Sequence, residues 1–216
     1  MESEEKLRSD MVERQLAARG IEDIRVLEAM RRIPRHEFIP EYLRYKAYED
    51  IALPIGHGQT ISQPYMVAVM TQMLELEGDE KVLEVGTGSG YQAAILAELA
   101  GEVWTIELYP ELSQRAKEIL ERLGYRDIRF RLGDGTLGIP EGGPFQRIIV
   151  TAGAPAVPRP LIEQLDEGGI IVIPVGERYS QELLKGRKRG GRLIEEHDVY
   201  CSFVPLIGKY GWQYEA

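Results

Sequence analysis

From residue 81 to residue 175 short apolar runs alternate with stretches of helical periodicity, and that alternation leaves few folds open. Lys81–Val85, 102–106, 128–132, 147–151 and 169–175 read as strands, rich in Val and Ile. Between them 91–100, 110–123 and 158–165 carry apolar residues at helical spacing, the second and third opened by a proline. Parallel strands cannot be joined by tight turns, so strand–helix repetition means βαβ units with right-handed crossovers. The expectation is an α/β fold, a doubly wound and mainly parallel sheet of the Rossmann-like type.

Flanking segments differ in texture. Residues 3–32 place Leu7, Met11, Leu16, Ile24, Leu27 and Met30 at helical spacing, broken at Gly20 and stopped before Pro34, which predicts a helical lead-in. From 34 to 64 the chain is rich in Pro, Gly, Tyr and His and reads as one long loop. Residues 65–76 read as a helix with Met66, Val69, Met70 and Met73 along one side, a pattern of core packing. The tail from 182 to 207 holds β-like runs around Gly186-Arg-Lys-Arg-Gly-Gly191, a C-terminal β-hairpin region. At 216 residues the chain suits one domain, with helices and loop over 1–77, a ligand-binding core over 78–176 and a β region over 177–216.

A ligand site belongs where the first strand of the alternation meets its helix. There stands Glu84-Val-Gly-Thr-Gly-Ser-Gly90, whose glycines let backbone approach a ligand and whose following helix offers free N–H groups. Gly86, Gly88 and Gly90 are spaced G-x-G-x-G, with Tyr91 where a dinucleotide fingerprint wants its third glycine, and no Lys-Ser or Lys-Thr follows as in a P-loop. A glycine triplet alone is a weak signal. Three acids strengthen it: Glu84, Glu107 and Asp134 fall at the carboxyl ends of three successive strands. Glu107, about 20 residues beyond the loop, is placed to accept both hydroxyls of a ribose, and Asp134 to accept from an adenine amine. Each acid alone is more simply a helix cap or a solvated loop residue. Together they describe a nucleoside ligand without phosphate, which is S-adenosylmethionine.

Composition excludes other classes. The net charge of −9 argues against a broad nucleic-acid surface. The run Lys185-Gly-Arg-Lys-Arg189 reads as a solvated hairpin turn. The single cysteine, Cys201, cannot form an intrachain disulfide, and His36 and His197 lack metal-ligand spacing, so no metal is expected. No apolar run reaches the roughly 20 residues of a membrane span and the polar opening is no signal peptide, so the expected location is cytoplasmic. The sequence contains no Asn, and its 19 Arg and 27 Glu far exceed 7 Lys and 8 Asp, a composition expected of a thermophile.

The motifs resemble those of the protein-L-isoaspartate (D-aspartate) O-methyltransferase family from residue 12 to residue 208. The resemblance rests on Pro34-Arg-His-Glu-Phe38, Ala47-Tyr-Glu-Asp50, Pro54-Ile-Gly-His-Gly-Gln-Thr-Ile-Ser-Gln-Pro64, residues 82–90, Gly133-Asp-Gly135, residues 147–155 and Phe203-Val-Pro-Leu206. The glycine loop is common to many methyltransferases, whereas 58–64 is specific to this family. Gln146 and Gly153 depart from the family's usual Asp and Ala, away from the assigned chemistry. The resemblance implies methyl transfer from S-adenosylmethionine to the free α-carboxylate of isoaspartyl residues in damaged proteins and peptides. It implies Ser62 as the active-site serine. Thr60, Glu84, Gly86, Thr87, Gly88, Gly90, Glu107, Asp134 and Gly135 would hold the cofactor. An extended acceptor peptide would meet Ile55, Gly56, His57 and Gly58, with Val204 and Leu206, chiefly through its main chain. A methyltransferase for RNA or a small molecule, or a cofactor-binding module without catalysis, would share the cofactor fold but not that loop.

Overall fold

The computed structural model describes residues 3–213. Helices α1 (Glu4–Asp10) and α2 (Ile24–Arg32) are linked by a π-helical turn over Met11–Leu16 and a 3-10 turn over Ala17–Arg19. Asp23 caps α2 by accepting from the backbone N–H groups of Arg25 and Val26. Its buried face is Val26, Ala29 and Met30, the i, i+3, i+4 stripe of an amphipathic helix.

Residues 34–64, expected as a plain loop, are more ordered than that. They contain 3-10 turns at Arg35–Phe38 and Glu41–Lys46 and a hairpin of β1 (Leu53–Gly56) and β2 (Gln59–Ile61). The hairpin turns at His57 and Gly58, both at positive φ (52° and 69°), as a tight two-residue turn demands. Helix α3 (Pro64–Met73) follows with proline in its first turn.

The core elements are β3 (Lys81–Val85), α4 (Tyr91–Leu99), β4 (Glu102–Glu107), α5 (Pro110–Arg122), β5 (Arg129–Leu132), β6 (Phe145–Val150), α6 (Arg159–Gln164) and β7 (Leu165–Glu177). A hairpin of β8 (Ser180–Arg189) and β9 (Arg192–Cys201) extends the sheet. The strand order is β5-β4-β3-β6-β7-β8-β9, parallel through β7 and antiparallel at β7/β8 and β8/β9. The expected doubly wound sheet and C-terminal hairpin are present. The chain winds outward from β3 to β5 and then crosses to β6, so the crevice above β3 and β6 is the topological switch point where such folds bind ligands.

Residue parity sorts the core into two faces. Val82, Ile149, Ile170 and Val172 pack with the N-terminal helices and α4, while Leu83, Val85, Ile148, Val150, Ile171 and Ile173 form a second cluster with α6. Strands covered on both faces are apolar throughout, as the sequence showed. Lys185, Arg187 and Lys188 of the basic run lie on β8 and are paired within the chain rather than forming a solvated turn. Lys185 and Arg187 hold Glu75, and Lys188 Nζ donates to the carbonyls of Ile162 and Leu165 at the end of α6. No described helix is long and apolar enough to cross a membrane.

Candidate active site

The glycine loop leaves β3 with Gly86, Gly88 and Gly90 all at positive φ (99°, 52° and 88°). Two of these glycines are there for close approach. A Cβ on Gly86 would stand 2.4 Å from Thr151 Oγ1, whose hydroxyl donates to the Gly86 carbonyl at 2.7 Å. One on Gly90 would press on Ala116 and Leu120 of α5. The loop is tied to β4 by the N–H groups of Gly86 and Thr87, which donate to the Ile106 carbonyl.

Glu107, the last residue of β4, closes this arrangement. Its carboxylate accepts from the N–H of Gly88 at 2.8 Å, of Leu108 at 2.8 Å and of Tyr109 at 3.0 Å. Three of about four lone-pair positions are thus committed, leaving one for a ligand hydroxyl. Acid and glycine loop form a single unit facing one cavity of about 890 Å³, open mouth included.

Of the residues singled out in the sequence, Thr60, Ser62, Gly86, Thr87, Gly88, Glu107, Gly135, Val204 and Leu206 line this cavity together. Glu84 does not. It sits one position before the end of β3, so its side chain turns to the face shared with Val82 and is fully buried. Thr105 Oγ1 donates to its Oε2 at 2.5 Å, Thr105 is in turn 2.6 Å from Thr87 Oγ1, and Oε1 has no partner among the described residues. Burial pushes this carboxyl up to about 8, the Thr105 hydrogen bond opposing and the Glu107 charge adding to the rise. Glu84 is therefore a neutral acid at pH 7, set behind the loop.

Asp134 is also turned away. Its Oδ1 accepts from Thr136 N and Thr136 Oγ1 at 2.9 and 2.6 Å, and its Oδ2 from Lys209 N at 2.7 Å. It caps a 3-10 turn, Gly135–Leu137, and anchors a strap from residue 203 to residue 212. The strap is fastened again at Gly153, whose N–H donates to Val204 and whose carbonyl accepts from Leu206 N and Trp212 Nε1. Gly90 serves helix packing rather than the cavity wall, as its neighbours show.

Ile55, Gly56, His57 and Gly58 stand above the cavity in the β1/β2 hairpin rather than in its lining. Arg115 on α5 donates to the Ile55 carbonyl at 2.5 Å, and the His57 ring packs on Tyr109 with centroids 5.5 Å apart. Ile55 Cδ1 lies against the space over Gly88, so the hairpin closes on the glycine loop. The segment carrying Ser62 is gripped from two sides. Asp50 accepts from Tyr65 N and Gln63 Nε2 and pairs with Arg19. Arg35, wholly buried, donates through Nη2 to the Ser62 carbonyl at 2.7 Å and through Nε to the Ala47 carbonyl at 2.9 Å.

The sequence reading missed Gln59, Met70, Ser89, Tyr91, Gln92, Tyr109 and Thr151, all of which line the cavity. Thr151 had a usable signal, being the first residue past β6 at the switch point. Among the described residues no group of three or more His, Cys, Asp or Glu could hold a metal ion.

A doubly wound sheet with a glycine loop joined to a strand-end acid, and an extra antiparallel hairpin at one edge, defines the class of Rossmann-like methyltransferases. The family model described as protein-L-isoaspartate(D-aspartate) O-methyltransferase matches residues 6–211. The chain is 54% identical to protein-L-isoaspartate O-methyltransferase 1 of Syntrophobacter fumaroxidans, over 97% of this chain and 98% of that one. It is 55% identical to the protein-L-isoaspartate O-methyltransferase of Methanoculleus marisnigri, over 97% and 95%. A solved structure from Plasmodium falciparum, described as a putative enzyme of this kind in complex with S-adenosyl-L-homocysteine, superposes with a TM-score of 0.80 at 26% identity, covering 93% of this chain and 98% of that one. The chain belongs to the protein-L-isoaspartate O-methyltransferase family, enzymes of protein repair.

Proposed function

We propose that the cavity under the β1/β2 hairpin is where S-adenosylmethionine and an isoaspartyl carboxylate meet, with the cofactor held by Thr60, Gly86, Thr87, Gly88, Glu107 and Gly135. The observation that carries this reading is the joined unit of Glu107 and Gly88, facing Ser62 across one cavity. The residues suit the cofactor. Glu107 keeps one acceptor position for a ribose hydroxyl, and Gly86 carries no side chain to displace Thr151 from the cavity lining. Val85, Ile106, Ala152 and Leu206 offer apolar walls to a base, while Gly135 presents backbone where Asp134 does not reach. When bound, S-adenosylmethionine supplies an electrophilic methyl group on a sulfonium.

The acceptor needs little activation. An isoaspartyl α-carboxylate is ionised at neutral pH, so the site requires no general base. Ser62 donates a hydrogen bond that orients one carboxylate oxygen, and Ile61, Val67 and Met70 keep water from the reacting atoms. The acceptor backbone lies along the 55–58 turn and the Val204–Leu206 stretch of the strap. Such main-chain recognition is tolerant of sequence, as repair of scattered damage requires. The single cysteine, the absence of Asn and the excess of Arg and Glu support a cytoplasmic activity in a heat-adapted organism. The test is methylation of a synthetic isoaspartyl peptide beside its aspartyl twin. Methyl esterification of the first alone is the expected result, and equal labelling of both, or of neither, overturns the reading.

A further inference from the structure

Arg35 is the largest of the fully buried side chains, and no function assigned so far uses it. A guanidinium out of water is costly unless opposite charge compensates it. Here the groups that touch it are neutral: the Ala47 and Ser62 carbonyls at 2.9 and 2.7 Å and the Tyr91 ring, whose centroid lies 4.9 Å from Arg35 Cζ. The Asp50 carboxylate acts on it only at longer range, its oxygens being engaged by Arg19, Gln63 and Tyr65. Among the described residues neither Arg35 Nη1 nor the Tyr91 hydroxyl makes a hydrogen bond of good geometry, although the two side chains lie close enough to act on each other. Burial lowers the Arg35 pKa only to about 10, so the charge persists at neutral pH. A side chain needed only to fill this space would be apolar, and the choice of arginine calls for a geometric reason.

Its three neighbours supply one. Ser62 stands on the acceptor side of the cavity, and Tyr91 is the first residue of α4, directly after the glycine loop. Ala47 belongs to neither and anchors the guanidinium to the preceding 3-10 turn. One rigid, planar group therefore spans the two loops that must bring acceptor and methyl donor together. Its two N–H forks fix direction as well as distance. Lysine could keep the charge but could not hold two carbonyls and lie over a ring in the same plane.

We propose that Arg35 is a positioning residue for methyl transfer, setting the Ser62 segment in register with the helix that opens the glycine loop. The proposal rests on the reading of Ser62 as the acceptor-orienting group. Misalignment at a near-attack geometry lowers turnover more than binding. The experiment compares wild type, Arg35→Met, Arg35→Lys, Ser62→Ala and Glu80→Gln, the last disturbing a buried ion pair with Arg147 at the far end of β3. For each, the melting temperature, the kcat and KM for an isoaspartyl peptide, and the Kd for S-adenosyl-L-homocysteine are measured at 25 °C. Arg35→Met is expected to lose at least tenfold in kcat with the Kd for S-adenosyl-L-homocysteine within threefold, and Arg35→Lys to fall between it and wild type. In a further variant, Arg35→Ala, which is expected to lose kcat as Arg35→Met does, guanidinium chloride at tens of millimolar, but not sodium chloride, should restore part of that loss. Glu80→Gln should melt earlier with its kcat intact. Full kcat in folded Arg35→Met beside a crippled Ser62→Ala overturns the proposal and leaves the site reading standing. Full turnover in Ser62→Ala removes the site reading and the proposal with it. A kcat loss in Glu80→Gln equal to that in Arg35→Met, or a chain that folds only with arginine at 35, assigns Arg35 to stability alone and overturns the proposal.

Discussion

Glu84→Gln should abolish a pH dependence of stability that the wild-type chain carries in its core. The Glu84 carboxyl is wholly buried, with one hydroxyl donor and one oxygen without a partner, and its pKa rises from 4.5 to about 8 on folding. Below pH 4.5 folded and unfolded chains both hold the proton and the group contributes no penalty. Above that the unfolded chain releases its proton while the folded chain keeps it, so folding becomes less favourable as pH rises. Each pH unit in this window costs about 1.4 kcal/mol, and the loss levels off above pH 8, where both states are ionised. Between pH 5 and pH 8 the wild type should lose about 3–4 kcal/mol relative to the glutamine variant, which mimics the neutral acid and cannot ionise. Urea unfolding of both proteins at pH 5, 6, 7, 8 and 9, followed by tryptophan fluorescence, isolates this term because other titrations cancel in the difference. A difference that stays flat to within about 1 kcal/mol over that range would refute the reasoning.

Three further outcomes follow from the site. Removing the Glu107 carboxylate takes away one charge-assisted hydrogen bond of about 1.5–3 kcal/mol, so Glu107→Ala should weaken S-adenosylmethionine binding by about 10- to 150-fold, read by calorimetry. Ser62→Ala should lower turnover by about tenfold to a hundredfold, and mass spectra of wild-type protein during turnover should show no adduct on Ser62. Asp134-Gly135 is the only Asp-Gly pair in the sequence, and its carboxylate is held by hydrogen bonds from Thr136 and Lys209 that succinimide closure would have to break. Folded protein heated below its melting point should therefore accumulate no isoaspartate at 134 by peptide mapping, whereas Gly208→Ala, which drives a methyl into the Asp134 carboxylate, should accelerate it.

What the sequence disclosed and what it hid divide along a physical line. Lys81–Val85 was legible to the residue because a strand buried on both faces writes itself as an unbroken apolar run. The β1/β2 hairpin was not, since Pro54, Gly56 and Gly58 interrupt any alternation in so short a pair. Glu107 and Glu84 look equivalent as acids after apolar runs, yet one ends its strand and the other stands a residue short. By register Glu84 stands beside Thr105 on the face that also carries Glu107, so two residues of strand length, rather than a change of face, bring Glu107 to the cavity and leave Glu84 in the interior. Asp134 carried its own warning in the following Gly and Thr136, the signature of a side chain capping its own turn. Arg35 was legible as part of a motif but not as a buried spacer, because only folding brings Ser62 and Tyr91 to it.

On the proposed reading of the cavity, the strap fixes when in its own synthesis the protein can first hold its cofactor firmly. A ribosome delivers the glycine loop, Glu107 and Ser62 early, but Val204, Leu206 and the Lys209 N–H that ties down Asp134 arrive only near the end of the described chain. Until then Gly153 lacks its partners and the cavity lacks a wall. A chain ended before residue 203 should therefore bind S-adenosylmethionine more weakly than the full chain, a difference that calorimetry on the truncated protein reads.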